Sequence, residues 1–208
     1  MSHTHGIRQA QKRKTRQALL DAALVLLEEQ GLSSLGLREV TRAVGVAPTA
    51  FYRHFRDMAD LGLALVEEAL GALHGTISGT LTDTDSSDER IDATVDVIAR
   101  HVHSHPAHVR FIARERHGGV RQVRAGIASQ LRRFSAEVAA ALAVQPGSAG
   151  WSEDDLRMLA DVYVDHMVMT ASAFLDAAEE GPDAEERVAR VARRQLRLIS
   201  LGRHHWLD

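Results

Sequence analysis

Leu37-Arg38-Glu39-Val40-Thr41-Arg42-Ala43-Val44-Gly45-Val46-Ala47-Pro48-Thr49-Ala50-Phe51-Tyr52-Arg53-His54-Phe55 decides the reading of this 208-residue chain. The stretch predicts two short helices joined by a tight turn. Gly45 can adopt the left-handed backbone that ends a helix. Ala47-Pro48 restarts the chain, because proline at a first helical position gives up no N–H that the helix needs. Val40, Val44 and Val46 recur at the spacing that buries one helix against the next, and Phe51 and Phe55 are expected to face inward. What remains on the second helix is small, hydroxylated or cationic: Thr49, Ala50, Tyr52, Arg53 and His54. That composition suits a helix entering a DNA major groove. Small residues allow close backbone approach, hydroxyls meet phosphate, and arginine meets phosphate or guanine.

Working outward, periodicity predicts an all-α chain of nine helices, with no strand and no internal repeat. Helix 1 is expected from about Lys14 to Gln30, with Leu19, Ala22, Ala23, Leu26 and Leu27 at helical spacing and Gly31 ending it. Helices 2 and 3 are Leu37–Val44 and Pro48–Arg56. Asp57-x-x-Asp60 resembles a capping box that opens helix 4, which carries Leu61, Leu65, Val66, Leu70 and Leu73 to about Thr80. A polar loop follows, and Ser86-x-x-Glu89 opens helix 5. His105-Pro106, Gly118-Gly119, Gln145-Pro146-Gly147-Ser148 and Gly181-Pro182 then punctuate helix 6 (Ala107 to Arg116), helix 7 (Val120 to Ala143), helix 8 (capped by Ser152, to Ala178) and helix 9 (Asp183 to Gly202). The organisation expected is a flexible basic arm over 1–13, a helix-turn-helix unit over 14–57 and a second helical unit over 58–208.

Charge is divided along the chain. Residues 1–56 carry nine Lys/Arg against four Asp/Glu, and the remainder sixteen against twenty-four. A basic end on an acidic body suits a protein that presents one face to a polyanion. Lys12-Arg13-Lys14 and Arg16 concentrate that charge where an arm can follow phosphates or reach a minor groove. Cysteine is absent, which excludes disulfides and thiolate chemistry. No apolar run is long enough to span a bilayer and no signal core opens the chain, so a cytoplasmic setting is expected. There is no Gly-rich phosphate loop, no Gly-x-Ser-x-Gly and no metalloprotease signature, so no enzymatic activity is expected.

Residues from about Thr15 to Leu63 resemble the DNA-binding domain of TetR-family repressors. The match rests on Gly31, on Gly45-Val46 and on Tyr52-Arg53-His54-Phe55. Two positions depart from the usual pattern. Gly36 and Ala47 stand where a hydroxyl residue usually caps helices 2 and 3, which removes a cap worth about 1 kcal/mol. The resemblance implies a nine-helix TetR-like fold, in which an N-terminal helix-turn-helix joins a C-terminal effector-binding and dimerisation domain. It implies a homodimer through helices 8 and 9 and a pseudo-palindromic double-stranded operator. Thr49, Ala50 and Arg53 are then expected at or near base edges, with Pro48 at the helix start, and Lys14, Arg16, Arg38, Tyr52 and His54 on phosphates. On helix 8, Met158, Val162 and Met169 exceed what one core face needs, and helix 9 offers Val188, Val191, Leu196, Leu198 and Ile199 to the dimer.

The second unit is similar to a narrower group. Arg114-Glu115-Arg116-x-Gly118 and Gln195-Leu196-Arg197-x-Ile199-Ser200-x-Gly202 resemble the unsaturated-fatty-acid and desaturase repressors of the FabR/DesT type. This implies control of lipid genes with long-chain acyl-CoA, or acyl carrier protein, as effector, and no cofactor. The other reading left open is a repressor of an efflux or catabolic gene that answers another apolar small molecule. From the residues themselves, the candidate wall is Phe111 and Ile112 on helix 6, Leu131, Phe134 and Val138 on helix 7, and Tyr163, Met167, Thr170 and Phe174 on helix 8. Methionine beside aromatics makes adaptable apolar surface, and small-molecule sites in bundles lie between helices; the same pattern also makes plain core. Arg114 and Arg116 flank Glu115, either to neutralise a ligand phosphate or to build a structural ion-pair network. His101 and His105 have the spacing that puts two imidazoles on one helical face. Pro106 follows directly and no carboxylate pair completes a set, so no metal is expected.

Overall fold

The computed structural model describes residues 2–82 and 87–206. Among them are nine α-helices and one 3-10 turn, and no strand: α1 (Ser2–Leu26), α2 (Leu37–Val44), α3 (Pro48–Phe51), α4 (Met58–Thr82), α5 (Ser87–Ser104), α6 (Pro106–Glu115), α7 (Arg121–Ala143), the turn Pro146–Ser148, α8 (Glu153–Glu180) and α9 (Pro182–His204). The expected helix-5 cap Ser86 and the side chain of Leu73 lie outside the described residues.

Three boundaries differ from expectation by more than two residues. The segment read as a flexible arm continues α1 back to Ser2. It is rich in Gln, Lys, Arg and Ala, which lose little side-chain freedom in a helix, and no proline interrupts it. At its other end α1 stops at Leu26, four residues early, in a series of turns that leads to Gly31. Helix α3 is hydrogen-bonded as a helix only over Pro48–Phe51. It unwinds through a turn in which His54 N–H donates to the Phe51 carbonyl (2.8 Å) and Phe55 N–H to the same carbonyl (3.0 Å).

The local chemistry of the head is otherwise as the residues dictate. Gly45 sits at φ 74°, and its N–H and that of Val46 close the last turn of α2 on Arg42 and Thr41. Gly36 supplies no side-chain cap, but the Glu39 carboxylate reaches back and accepts its N–H at 2.9 Å. That bond, followed by one from Gln30, holds the Glu39 carboxyl below its ordinary range. At α4 the Asp57 carboxylate accepts the Asp60 N–H (2.8 Å). The return bond of the box is shifted by one residue, since Asp60 accepts from the Arg56 N–H (2.9 Å) and the Arg56 guanidinium. Ser152 Oγ accepts the Asp155 N–H and caps α8.

Two hydrophobic cores result. The first joins Leu19, Leu20, Val40, Phe51 and Phe55 of the head to Leu61 and Leu65 of α4, Phe111 and Ile112 of α6, and Val123 and Ile127 of α7. The second lies between α5, α7, α8 and α9. The head therefore does not close its core alone: α6 and α7 complete it from the body.

Candidate functional site

Helix α3 owes its placement to Phe51 and Phe55, which are buried and in ring contact with each other at 5.5 Å. Burying that face presents the other. Pro48, Thr49, Tyr52 and Arg53 are exposed, Ala50 and His54 half-buried, and Tyr52 keeps 63% of its surface open. Lys14, Arg16 and Arg38 are exposed as well. The helical extension of α1 adds what the sequence reading missed. Arg8, Gln11, Lys12 and Thr15 form one wall of a surface groove whose other wall is Val46, Ala50, Arg53 and His54. The signal was present in the sequence, because Arg8, Gln11, Lys12 and Thr15 follow one another at helical spacing. Arg16 does not project freely: its guanidinium lies 5.1 Å over the Phe55 ring, a cation–π contact that ties α1 to α3. The imidazole of His54 is pushed below its ordinary pKa by burial and then by Lys12, Arg16 and Arg53, so near pH 7 it is neutral.

The body holds an apolar cavity enclosed by five helices. Ala69, Leu70 and His74 come from α4, Ile98 and His101 from α5, and His108, Val109, Ile112 and Ala113 from α6. Leu131 and Phe134 come from α7, and Val164, Met167, Val168, Ala171 and Ser172 from α8. It is narrow: about 50 Å³ is open to the centre of a water-sized sphere. One water needs roughly 10–15 Å³ by that measure. Of the nine expected wall residues, Ile112, Leu131, Phe134 and Met167 line it. Val138 and Tyr163 line a second cavity, which Met167 also touches. Thr170 faces an outer groove between α8 and α9. Phe111 and Phe174 are core, packed in the first and second clusters respectively. The nine are scattered for one reason: an apolar residue at helical spacing is equally suited to core and to cavity wall, and only the neighbouring helices decide.

Three histidines, His74, His101 and His108, line the cavity, whereas His105 is exposed. His74 stacks on Phe134 (4.8 Å, 8° between planes), and His101 stacks on His105 (4.9 Å). Burial lowers the pKa of His74, His101 and His108. Stacked rings offer faces to each other rather than lone pairs to an ion, and among the described residues no group of three His, Asp or Glu gathers around a point.

Arg114 and Glu115 are structural and join body to head. Arg114 Nη1 donates to the carbonyls of Leu27 (2.8 Å) and Gln30 (2.9 Å), and Nη2 to that of Glu28 (3.2 Å). This collects the orphan carbonyls at the end of α1. Glu115, 1% exposed, accepts the Leu32 N–H at 2.8 Å. A Cβ at Gly118 would overlap the Glu115 carboxylate, which explains the glycine there. The expected network of alternating charges is mostly replaced by backbone carbonyls, with only Arg116 facing a carboxylate, Asp165 at 3.9 Å. Head and body are therefore joined by this clamp from α6 as well as through α4.

A basic helix-turn-helix mounted on a helical bundle is the architecture of a DNA-binding regulator. Residues 19–65 match the model of the bacterial regulatory proteins of the tetR family. Solved structures of similar fold include FadR from Bacillus subtilis in complex with stearoyl-CoA (TM-score 0.69, 15% identity, 86% of this chain and 96% of that one). Others are AibR in complex with isovaleryl coenzyme A and operator DNA (0.65, 18%, 86% and 95%) and regulatory protein TetR from Rhodobacter sphaeroides (0.61, 25%, 86% and 96%). Residues 19–65 thus carry the tetR-family DNA-binding domain, and the chain as a whole shares the fold of these solved structures. Among the described residues no helix is long and apolar enough to cross a membrane.

Proposed function

We propose that this protein is a cytoplasmic repressor that binds a pseudo-palindromic operator as a homodimer and releases or grips it in response to long-chain acyl-CoA. The observation that carries the reading is the apolar cavity, because its wall includes both α4, which leads into the head, and α6, whose next residues clamp α1. The fold is shared with regulators solved with stearoyl-CoA and isovaleryl coenzyme A, which supports a thioester effector. The cavity is too narrow for a long chain as it stands, and that favours a switch. A chain that enters must part α4 and α6 from α7 and α8, so the two conformations bind it unequally, as any effector requires. Each buried methylene contributes about 0.8 kcal/mol, so chain length matters steeply.

In the complex, Thr49, Ala50 and Arg53 read bases, with Pro48 allowing close approach. Lys14, Arg38, Tyr52 and His54 meet phosphates, joined by Arg8 and Lys12 from the extended α1. Arg16 contributes charge while held over Phe55. The dimer forms through α8 and α9, where Met158, Val162, Met169, Val191 and Leu198 are exposed in the single chain, Met169 at 62% and Leu198 at 70%. Leu196, expected there, is buried in the chain's own core and is withdrawn from the interface. Two-fold pairing sets the recognition helices about 34–36 Å apart.

The test is operator binding by fluorescence anisotropy at fixed salt, with palmitoyl-CoA and oleoyl-CoA against free coenzyme A and a detergent. The two thioesters should shift affinity, and to different extents because a cis double bond bends the chain. In the same titration Arg53→Ala should cost about 1–3 kcal/mol and relax preference at one position. Tyr52→Phe should weaken all sequences alike. Light scattering at micromolar concentration should give the mass of a dimer. The narrowness of the cavity favours one other reading, a smaller apolar effector of an efflux or catabolic repressor; that reading takes over if neither thioester moves the affinity or if detergent mimics them.

A further inference from the structure

Arg203, on α9, is 7% exposed, and its guanidinium is turned inward to the end of α7. Nη1 donates to Gln145 Oε1 (2.8 Å), and Nη2 to the Leu142 carbonyl (3.4 Å) and to Ser148 Oγ. All three acceptors are neutral, and Nε is buried with no hydrogen-bond partner among the described residues. A buried cation is costly unless paired, and the C-terminal dipole of α7 offsets only part of that cost. Arg203 lines the second cavity of the body together with Arg90, Tyr163, Ser87, Thr94 and Ser200, and none of the described residues lining it is acidic. Burial chiefly, with a lesser push from Arg90, lowers the pKa of the Arg203 guanidinium, and burial raises that of the Tyr163 hydroxyl. The Arg203 shift is that of a buried cation with no anion beside it among the described residues.

The other side of this cavity is apolar, formed by Ile91, Val138, Leu142, Leu196 and Met167. Met167 lines the first cavity as well, so its side chain meets both spaces. An unbranched methionine side chain changes rotamer readily. With it aside, the two cavities lie in series along the bundle axis. On α7 they run from Leu131 to Leu142, roughly 16 Å at the helical rise. The polar chamber has about 50 Å³ open to the centre of a water-sized sphere, which suits a carboxylate and not a nucleotide.

We propose that the Arg203 chamber is a carboxylate site for an amphipathic monocarboxylic acid, whose apolar chain displaces the Met167 thioether and runs into the first cavity. The acid's head accepts from Arg203 Nε–H and lies beside the Tyr163 hydroxyl. Such an acid competes with a thioester for the first cavity, which is all that this site shares with the acyl-CoA reading.

The test is calorimetric titration of the full chain with decanoate, decan-1-ol and decanoyl-CoA, each kept below its aggregation limit. Decanoate should bind at least tenfold more tightly than decan-1-ol. Arg203→Gln should abolish that preference and Arg203→Lys restore part of it, while Tyr163→Phe should weaken decanoate several-fold and spare decan-1-ol. Met167→Ala should favour tetradecanoate over octanoate more strongly than wild type does. Equal binding of acid and alcohol by wild type overturns the proposal, as does an undiminished preference in Tyr163→Phe or in a folded Arg203→Gln. If Arg203→Gln does not fold, the wild-type preference and Tyr163→Phe decide alone. A thioester effect on operator binding without any acid preference sinks the carboxylate site and leaves the acyl-CoA reading standing. An acid preference with inert thioesters does the reverse.

Discussion

The head and the body of this protein use their helices differently. In the head, the core residues and the proposed recognition residues lie on opposite faces of α3: Phe51 and Phe55 are buried, while Thr49, Tyr52 and Arg53 are open. In the body the same side chains serve both ends, since Ile112, Phe134 and Met167 are core residues that also line a cavity. A surface side chain can therefore be changed without loss of fold, whereas a change at the cavity alters packing and the shape of the space together.

The largest effect that sharpens this contrast is Phe51→Ala. Emptying a fully buried phenylalanine site should cost about 3–5 kcal/mol. The loss should appear as a lower melting temperature by circular dichroism and as lost DNA binding, whereas Arg53→Ala, two residues on, should leave the melt unchanged. Equal melts for the two variants would break the two-face description.

Next comes the joint between the regions. Glu115→Ala leaves the buried Leu32 N–H unpaired, which should destabilise by about 1–3 kcal/mol. Hydrogen exchange should rise first at the α1–α2 turn, around Leu32, and less at α8. Uniform loosening of the whole chain would show that α6 is not a discrete clamp.

Acidification should separate the regions more gently. Burial lowers the pKa of His74, His101, His108 and His166 in the body, below the value near 6.5 of an exposed imidazole. The unfolded chain then binds more protons, so their stabilisation is present above about pH 6.5 and is lost as pH falls through the depressed values. His54 adds one such group to the head. The carboxyls of Asp60, through Arg56, and of Glu39 are lowered from ordinary carboxylate values, so their contribution fails only in stronger acid. Melts followed between pH 7.5 and 5.5 should fall, and a His74→Phe, His108→Phe double variant should fall less. A flat profile would refute the assignment of neutral imidazoles to the cavity wall.

The smallest effect tests the head's missing cap. Gly36→Ser should change stability by only a few tenths of a kcal/mol, because glycine is nearly as good at that position and Glu39 already accepts the Gly36 N–H. A shift of several degrees in the melt would mean that the cap is worth more here than the geometry indicates.

What the sequence by itself determined is what short-range physics fixes. Gly45 required a left-handed turn, Pro48 a helix start, Ser152 a cap and Pro106 a break, and each acts within four residues of itself. The periodic apolar faces followed, and with them the all-α architecture and the exposed face of α3. Tertiary structure alone decided which of those faces enclose space. Phe111, Phe174 and Ile112 look alike along the chain, yet two are core alone and one also meets a cavity, because different helices pack around each. His74, His101 and His108 come from three helices, and Arg203 closes on α7 from 61 residues beyond Leu142. A side chain's partner across such separations is set by how helices pack, and the intervening residues carry no local trace of it.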